Sequence, residues 1–232
     1  MTMTPDARRN RLLAALPEPD WQGLLARIER VELVAGQVLQ DAGLALPHVY
    51  FLTTAIVSLS HAMRSGASAE VAVVGQEGLI GFSLFMGGDT TPGQAVVQRA
   101  GQAYRLPAQA LKQEFNRGGA LTAVLLRYAQ SLITQVSQTS VCNSHHTLEQ
   151  RLCRWLLLTL DRQDDLVVRM TQEMIANALG VRREGVTEVA LRLQRAGLMR
   201  YARGRIEVLD RAGLEARACE CHEVVRLAGP PR

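Results

Sequence analysis

The sequence predicts an α+β chain: an N-terminal antiparallel β-roll of jelly-roll type, a long helix, and a C-terminal winged helix-turn-helix. Three observations predict it. Apolar residues between about positions 31 and 107 come in short runs punctuated by glycines. From Leu121 to Cys142 an apolar-to-polar seam recurs at steps of four and three. From Met170 to Leu209 two short amphipathic patterns are split by Gly180 and followed by an Arg-Gly turn.

The first 30 residues read as a helical lead-in, with Leu24, Leu25 and Ile28 at helical spacing. The β segment then offers VELVAGQVLQ, VYFLTTAIVSLS, AEVAVVGQEGLIGF and QAVVQRAGQAYRL, separated by turn glycines such as Gly43, Gly66 and Gly93. A roll built this way either encloses a ligand space or is packed with its own side chains. After Gly118-Gly119 the period becomes helical, and Leu121, Leu125, Tyr128, Leu132, Gln135, Thr139 and Cys142 fall on one seam. That seam faces either a symmetry mate or the roll. At ~39 Å the helix is longer than one small sheet can cover, which favours a dimer seam through Leu121, Leu125, Tyr128 and Leu132.

The helix is expected to break near His145-His146, because Thr147 to Gln150 forms a capping-box pattern that opens a new helix. Residues 143–147 are then a hinge, with domains over 1–116, 117–146 and 147–232. The paired histidines there are either polar hinge residues or a metal or pH site.

Composition narrows the function classes. The hydrophobic fraction of 47% suits a folded chain. No run of about 18 apolar residues occurs, so no spanning helix and no membrane partner are expected. The N-terminus lacks the apolar stretch of a secretory signal, which makes a cytoplasmic location the expectation. There is no nucleophile elbow, P-loop or H-E-x-x-H pattern, so no enzyme activity is expected. The net charge is +4, and the whole excess falls in residues 151–232, with 15 arginines against 11 acids. That asymmetry suits a polyanion partner, or simply a charged solvated surface. The four cysteines are Cys142, Cys153, Cys219 and Cys221, too few for a disulfide framework. Two thiols and an imidazole in the Cys219-to-His222 tail, with no second cluster, make a poor zinc site, so neither metal nor cofactor is expected.

The stretch after Met170 is more specific. Thr171 is an N-cap; Ile175, Ala178 and Leu179 form one apolar face; Gly180 turns the chain. The next helix buries Val186, Val189, Ala190 and Leu193 and exposes Arg183, Glu184, Thr187 and Glu188 at its start. Gly197 closes it, and MRYARGRIEVL forms a hairpin with Arg203 at its tip. This spacing fits a helix that offers its N-terminal residues to the DNA major groove, with a basic wing beside the phosphates; the alternatives are a plain helical packing unit, or a ligand-binding sensor whose C-terminal domain contacts a protein partner.

The segment TQEMIANALGVRREGVTEVALRLQRAGLMRYARGRIEVLDRAGLEARA resembles the winged helix of the Crp/Fnr (cyclic-AMP receptor/Fnr) family of bacterial transcription regulators. PHVYFLTTAIVSL and GQEGLIGFSLFMGG resemble that family's cyclic-nucleotide-binding-type roll. The resemblance implies a cytoplasmic homodimer that binds double-stranded DNA at an inverted repeat and meets RNA polymerase. The family's recognition helix starts Ser-Arg-Glu and carries an Arg four residues after that Glu. Here the matching positions are Arg182, Arg183, Glu184 and Glu188. Arg183 would pair with guanine and Glu184 with a cytosine amine, whereas Glu188 cannot donate to guanine. Arg182, Arg192, Arg203 and Arg205 would contact phosphate, with Thr171 and Thr187 beside them.

The ligand cassette departs from the family. Its Gly-Glu-Leu is Gly81-Phe82-Ser83 here, and its Arg-Ser pair falls in Pro92-Gly93-Gln94, without a cation. Cyclic AMP is therefore not the expected effector. An Fnr-like cluster needs N-terminal cysteines, which are missing, and His48 and His61 are too little for haem. Any small-molecule effector would bind between roll and long helix, at Phe82, Ser83, Gln94 and Ser137.

Overall fold

A computed structural model describes residues 7–229. The elements run α1 (Arg11–Ala14), α2 (Glu18–Leu25), β1 (Glu29–Leu33), β2 (Val38–Gln40), β3 (His48–Leu52), β4 (Ile56–Ala62), β5 (Ser68–Val74) and β6 (Leu79–Ile80). They continue with β7 (Gln94–Arg99), β8 (Gly101–Pro107), α3 (Ala108–Asn116), α4 (Ala120–His145) and α5 (Leu148–Leu160). The last are β9 (Val167–Arg169), α6 (Gln172–Leu179), α7 (Arg183–Arg195), β10 (Met199–Ala202), β11 (Arg205–Val208), α8 (Arg211–Arg217) and α9 (Cys221–Ala228). The expected lead-in helix begins in residues 1–6, outside the described residues. Among the described residues no helix is long and apolar enough to cross a membrane.

Each of the four apolar runs holds two strands, because the glycine or Thr-Thr inside it makes a turn. They form two four-stranded sheets, ordered β1-β8-β3-β6 and β2-β7-β4-β5. β8 is antiparallel to both β1 and β3, with Glu29 opposite Arg105 and Phe51 opposite Tyr104. The interior is filled by Phe51, Leu52, Ile56, Leu79, Ile80, Tyr104 and Leu106, each no more than 1% exposed. Asn10 ties the lead-in to the roll. Its side chain caps α1 through Leu12 and Leu13, and its amide donates to the carbonyls of Leu52 and Gly78, both at 2.8 Å. A buried side-chain amide with this many partners is fully satisfied, so it can sit in the core.

The chain divides into two compact units. The first runs to Leu59 and resumes over Val74–Ile133; the second holds Ser60–Val73 and Thr134–Ala228. The division between the two units falls inside α4, between Ile133 and Thr134. Within the second unit a three-stranded sheet ordered β10-β11-β9 packs with α5–α8 around Leu152, Trp155, Leu156, Val168, Ile175, Val186, Leu193, Ile206 and Leu214.

The break after His145 occurs where expected. Thr147 Oγ1 accepts from the Gln150 N–H, and the Gln150 side chain accepts from the Thr147 N–H at 3.0 Å, a complete capping box. The seam of α4 requires a correction. Leu121, Leu125, Tyr128 and Leu132 are all 5% exposed or less, sealed by the chain's own residues. Tyr128 also donates to the Leu79 carbonyl at 2.7 Å. They are core residues, not a surface for a second copy. The apolar side chains that α4 leaves exposed are Leu126 (54%), Ile133 (49%), Val136 (37%) and Val141 (50%).

Candidate nucleic-acid interface

The site is built on α6, α7 and the β10–β11 hairpin. Thr171 Oγ1 accepts from the Met174 N–H at 3.2 Å and starts α6. Gly180 ends it at φ +63°, a left-handed conformation that suits glycine and swings the chain into α7. Gly185 meets a different constraint: a Cβ there would lie 3.0 Å from Leu148 Cδ2, so the missing side chain lets α7 lie close against α5.

Arg182 is the N-cap of α7, and its side chain makes no capping bond. The first-turn N–H groups of α7 thus receive no side-chain cap, and Arg182, Arg183 and Glu184 project into solvent. Neither Arg182 nor Arg183 has an ion-pair partner among the described residues. Val186, Val189, Ala190 and Leu193 are buried, as expected.

The wing closes with a two-residue turn in which both central residues have positive φ, Arg203 at +48° and Gly204 at +75°. This is the requirement of a type I′ hairpin, whose twist matches the strands. Arg203 holds a conformation unfavourable for a side-chain residue, which places its guanidinium at the tip. Tyr201 fixes the wing from below: its N–H donates to Gln194 Oε1 at 3.0 Å and its hydroxyl to the Met170 carbonyl at 3.2 Å. Burial pushes the Tyr201 phenol up, so it remains a neutral donor. Thr171, Gln172, Glu173, Arg183 and Tyr201 to Gly204 together line an open concavity of about 540 Å³. The α6 N-terminus and the cations Arg183 and Arg203 make it suitable for an anionic phosphate.

Not every expected contact residue is available. The single hydroxyl proton of Thr187 is shared between Gln172 Oε1 at 2.7 Å and the Arg183 carbonyl at 3.1 Å, so the hydroxyl joins α7 to α6. Arg192 pairs with Glu188 at 2.8 Å and with Glu149 at 3.2 Å, and Arg217 reaches the same Glu149 at 2.9 Å. Arg192 thus meets carboxylates within the chain, with which a phosphate would have to compete. Arg205 pairs with Glu207 at 3.1 Å.

Sequence reading missed Arg169. The exposed Arg169 stands directly opposite Arg205 in the β9–β11 register. Like charges placed so are unfavourable in an isolated sheet, and a polyanion relieves the repulsion. Only the strand pairing brings Arg169 to the wing, since the two arginines lie far apart in the sequence.

The effector candidates are placed as follows. Phe82 and Ser83 share one 3₁₀ turn after β6; the Ser83 hydroxyl is buried and lacks a hydrogen-bond partner. Gln94 starts β7, its amide donating to Asp41 at 3.0 Å. Ser137 lies exposed on α4.

A jelly roll followed by a winged helix with an exposed basic recognition turn defines a DNA-binding regulator. Residues 150–217 match the Crp-like helix-turn-helix domain, and residues 30–117 match the cyclic nucleotide-binding domain. The transcriptional regulator LdrP of Thermus thermophilus is 31% identical over 131 residues, 51% of this chain and 67% of that protein. The global nitrogen regulator of Synechococcus elongatus is 24% identical over 90% of this chain and 97% of its own. The crystal structure of a CRP/FNR-family transcriptional regulator, also from Thermus thermophilus, shares the fold, with a TM-score of 0.68 at 23% identity over 82% of this chain and 98% of that one. The chain belongs to the Crp/Fnr family of transcription regulators.

Proposed function

We propose that the protein acts as a homodimer that places α7 in the major groove of each half of an inverted repeat. Two recognition helices about 34 Å apart would enter successive grooves. Arg183 and Glu184 read bases, and Arg182, Arg203 and Arg169 hold phosphates. The observation that carries this reading is the uncapped first turn of α7, where Arg182 and Arg183 are exposed with no ion-pair partner among the described residues and Arg183 lines the same concavity as Arg203. A cytoplasmic location and contact with RNA polymerase follow from the same reading.

The second copy would pack on the exposed row Leu126, Ile133, Val136 and Val141. Cyclic AMP is not the effector in this reading. No arginine lies between Phe82 and Gln94, and Gln94 is bonded to a carboxylate, which would repel a cyclic phosphate. Any small-molecule effector would instead engage the unpartnered Ser83 hydroxyl.

Selection of bound sequences from a random DNA pool tests the proposal. Wild-type protein should enrich a two-fold symmetric site, and Arg183→Ala should lose that enrichment while staying folded. Enrichment of an asymmetric site would overturn the inverted-repeat geometry. Absence of enrichment from folded protein, with or without cell extract, would overturn the DNA-reading role.

A further inference from the structure

The thiols lie far apart in the sequence and meet in the fold. Cys142 lies in the last turns of α4, and His146 follows one turn later. Cys219 and Cys221 stand just before and at the start of α9. All four belong to the second compact unit. The three cysteines are 5% exposed or less, and the His146 side chain is 15% exposed.

One Sγ from each cysteine and a ring nitrogen of His146 lie within 4.8 Å of one another. Cys142 Sγ is 3.5 Å from Cys219 Sγ, and Cys221 Sγ is 3.5 Å from His146 Nδ1. A tetrahedral zinc ion with Zn–S of about 2.3 Å and Zn–N of about 2.0 Å sets S···S near ~3.8 Å and S···N near ~3.5 Å. The cluster is therefore already close to the dimensions of a single ion. A disulfide would need its sulfurs at about 2.05 Å and would leave Cys221 and His146 unused. An iron–sulfur cluster puts several irons and bridging sulfides between its thiolates, so it needs a wider cage than this.

The surroundings carry a second, independent signal. His146 Nε2 lies 3.4 Å from Glu220 Oε2, which orients the ring and directs Nδ1 at the thiols. A carboxylate behind a ligating imidazole is the usual outer shell of such a site. Gln138 Nε2 donates to Cys221 Sγ at 3.0 Å. Arg154, only 4% exposed, makes two long bonds to Thr139 Oγ1 at 3.3 and 3.4 Å, and its Nε has no partner. No carboxylate pairs with it among the described residues. Three thiolates around a divalent ion leave one net negative charge, which this buried guanidinium balances.

We propose that Cys142, His146, Cys219 and Cys221 form a mononuclear divalent-metal site of the Cys₃His type, with zinc as the ion its soft tetrahedral ligand set fits. The thiols enter as thiolates and release their protons to solvent. Four protein ligands leave no open position, so the site is structural. It joins the segment before α9 to the end of α4. The inference stands apart from the DNA-reading role and does not depend on it.

The test starts with the full wild-type chain, purified reduced and without chelator. It should carry one zinc per chain. After metal removal, cobalt(II) titration should produce a sulfur-to-cobalt charge-transfer band and the intense d–d bands of a tetrahedral site, both abolished by added zinc. Cys219→Ser, Cys221→Ser and His146→Ala should weaken or reshape these bands. Glu220→Gln should lower metal affinity by about tenfold. Cys153→Ser, which alters a buried thiol outside the cluster, should change nothing. Because the cobalt spectrum is read on the unaltered chain, poorly folding variants do not confuse the result. Three outcomes would overturn the proposal: no tetrahedral cobalt signature in the reduced wild type, a Cys142–Cys219 disulfide in its place, or an iron chromophore with acid-labile sulfide.

Discussion

In the proposed reading two arginines divide the work on DNA, Arg183 reading a base and Arg169 holding phosphate. Arg183 projects from the first turn of α7 with no ion-pair partner among the described residues, so it is free to form a bidentate contact with a base. Such a contact discriminates by ~1–3 kcal/mol, so Arg183→Ala should lower affinity for the selected site by roughly tenfold to hundredfold and flatten its base preference. Arg169 stands opposite Arg205 and has no base-reading geometry to offer. Arg169→Ala should weaken binding to all sequences alike and reduce the slope of log affinity against log salt by about 1. Fluorescence anisotropy at several salt concentrations separates the two behaviours. If Arg169→Ala changed specificity and left the salt slope alone, the phosphate role would be wrong.

Among the elements, α4 and α5 give the sharpest expectations. One face of α4 is sealed within the chain and the other carries Leu126, Ile133, Val136 and Val141. Leu125→Ala should destabilise the fold by ~2–5 kcal/mol in urea denaturation, since it opens a cavity at a residue with no exposure. Ile133→Glu should leave stability within ~1 kcal/mol and shift the chain from dimer to monomer in sedimentation. The opposite pattern would return the dimer seam to Leu121 and Leu125.

The end of α5 is held by Asp161, which accepts from Arg211 at 2.6 Å and pairs with His222 at 2.8 Å. Burial alone would raise the Asp161 carboxyl, but the bonds from His222 and Arg211 outweigh it and hold it well below the usual carboxylate range. A folded-state pKa below the unfolded one means stability that is fully present above about pH 5 and lost as pH falls through about 4 toward the folded value. Asp161→Asn should therefore cost ~1.5–3 kcal/mol at about pH 6 and progressively less in denaturant titrations below about pH 4.

For the molecule as a whole, charge and ligands act at different places. The +4 charge lies entirely in residues 151–232, the part that carries the helix-turn-helix. Association with DNA should accordingly slow steeply as salt rises, a long-range effect visible in stopped-flow rates even for Arg183→Ala. The roll contributes a packed interior around Phe51, Leu79 and Tyr104 and a cassette without a cation. Isothermal titration with cyclic AMP should give no heat of binding, and a saturable one-site response would overturn that expectation.

Much of this was legible along the chain because it depends on neighbours in sequence. The capping box at Thr147, the helix start at Thr171, the turn at Gly180 and the buried face of α7 all follow from residues three or four positions apart. The four apolar runs of the roll were visible too, but not that each folds into two strands. The family itself could be recognised from the same local patterns. What the sequence could not determine was what each periodic face packs against. A seam at steps of four and three looks the same whether its partner is a second copy or the chain's own core, and for Leu121 to Leu132 it is the core. Nor could it show that Arg192 is held by Glu149, or that Arg169 meets Arg205. The cysteines show the limit most clearly. Cys219, Cys221 and His222 looked like one weak cluster, yet His222 turns to Asp161, and the fold brings Cys142 and His146 to the two thiols instead. Contacts between residues so far apart along the chain leave no periodic trace in a sequence, so only the tertiary structure decides them.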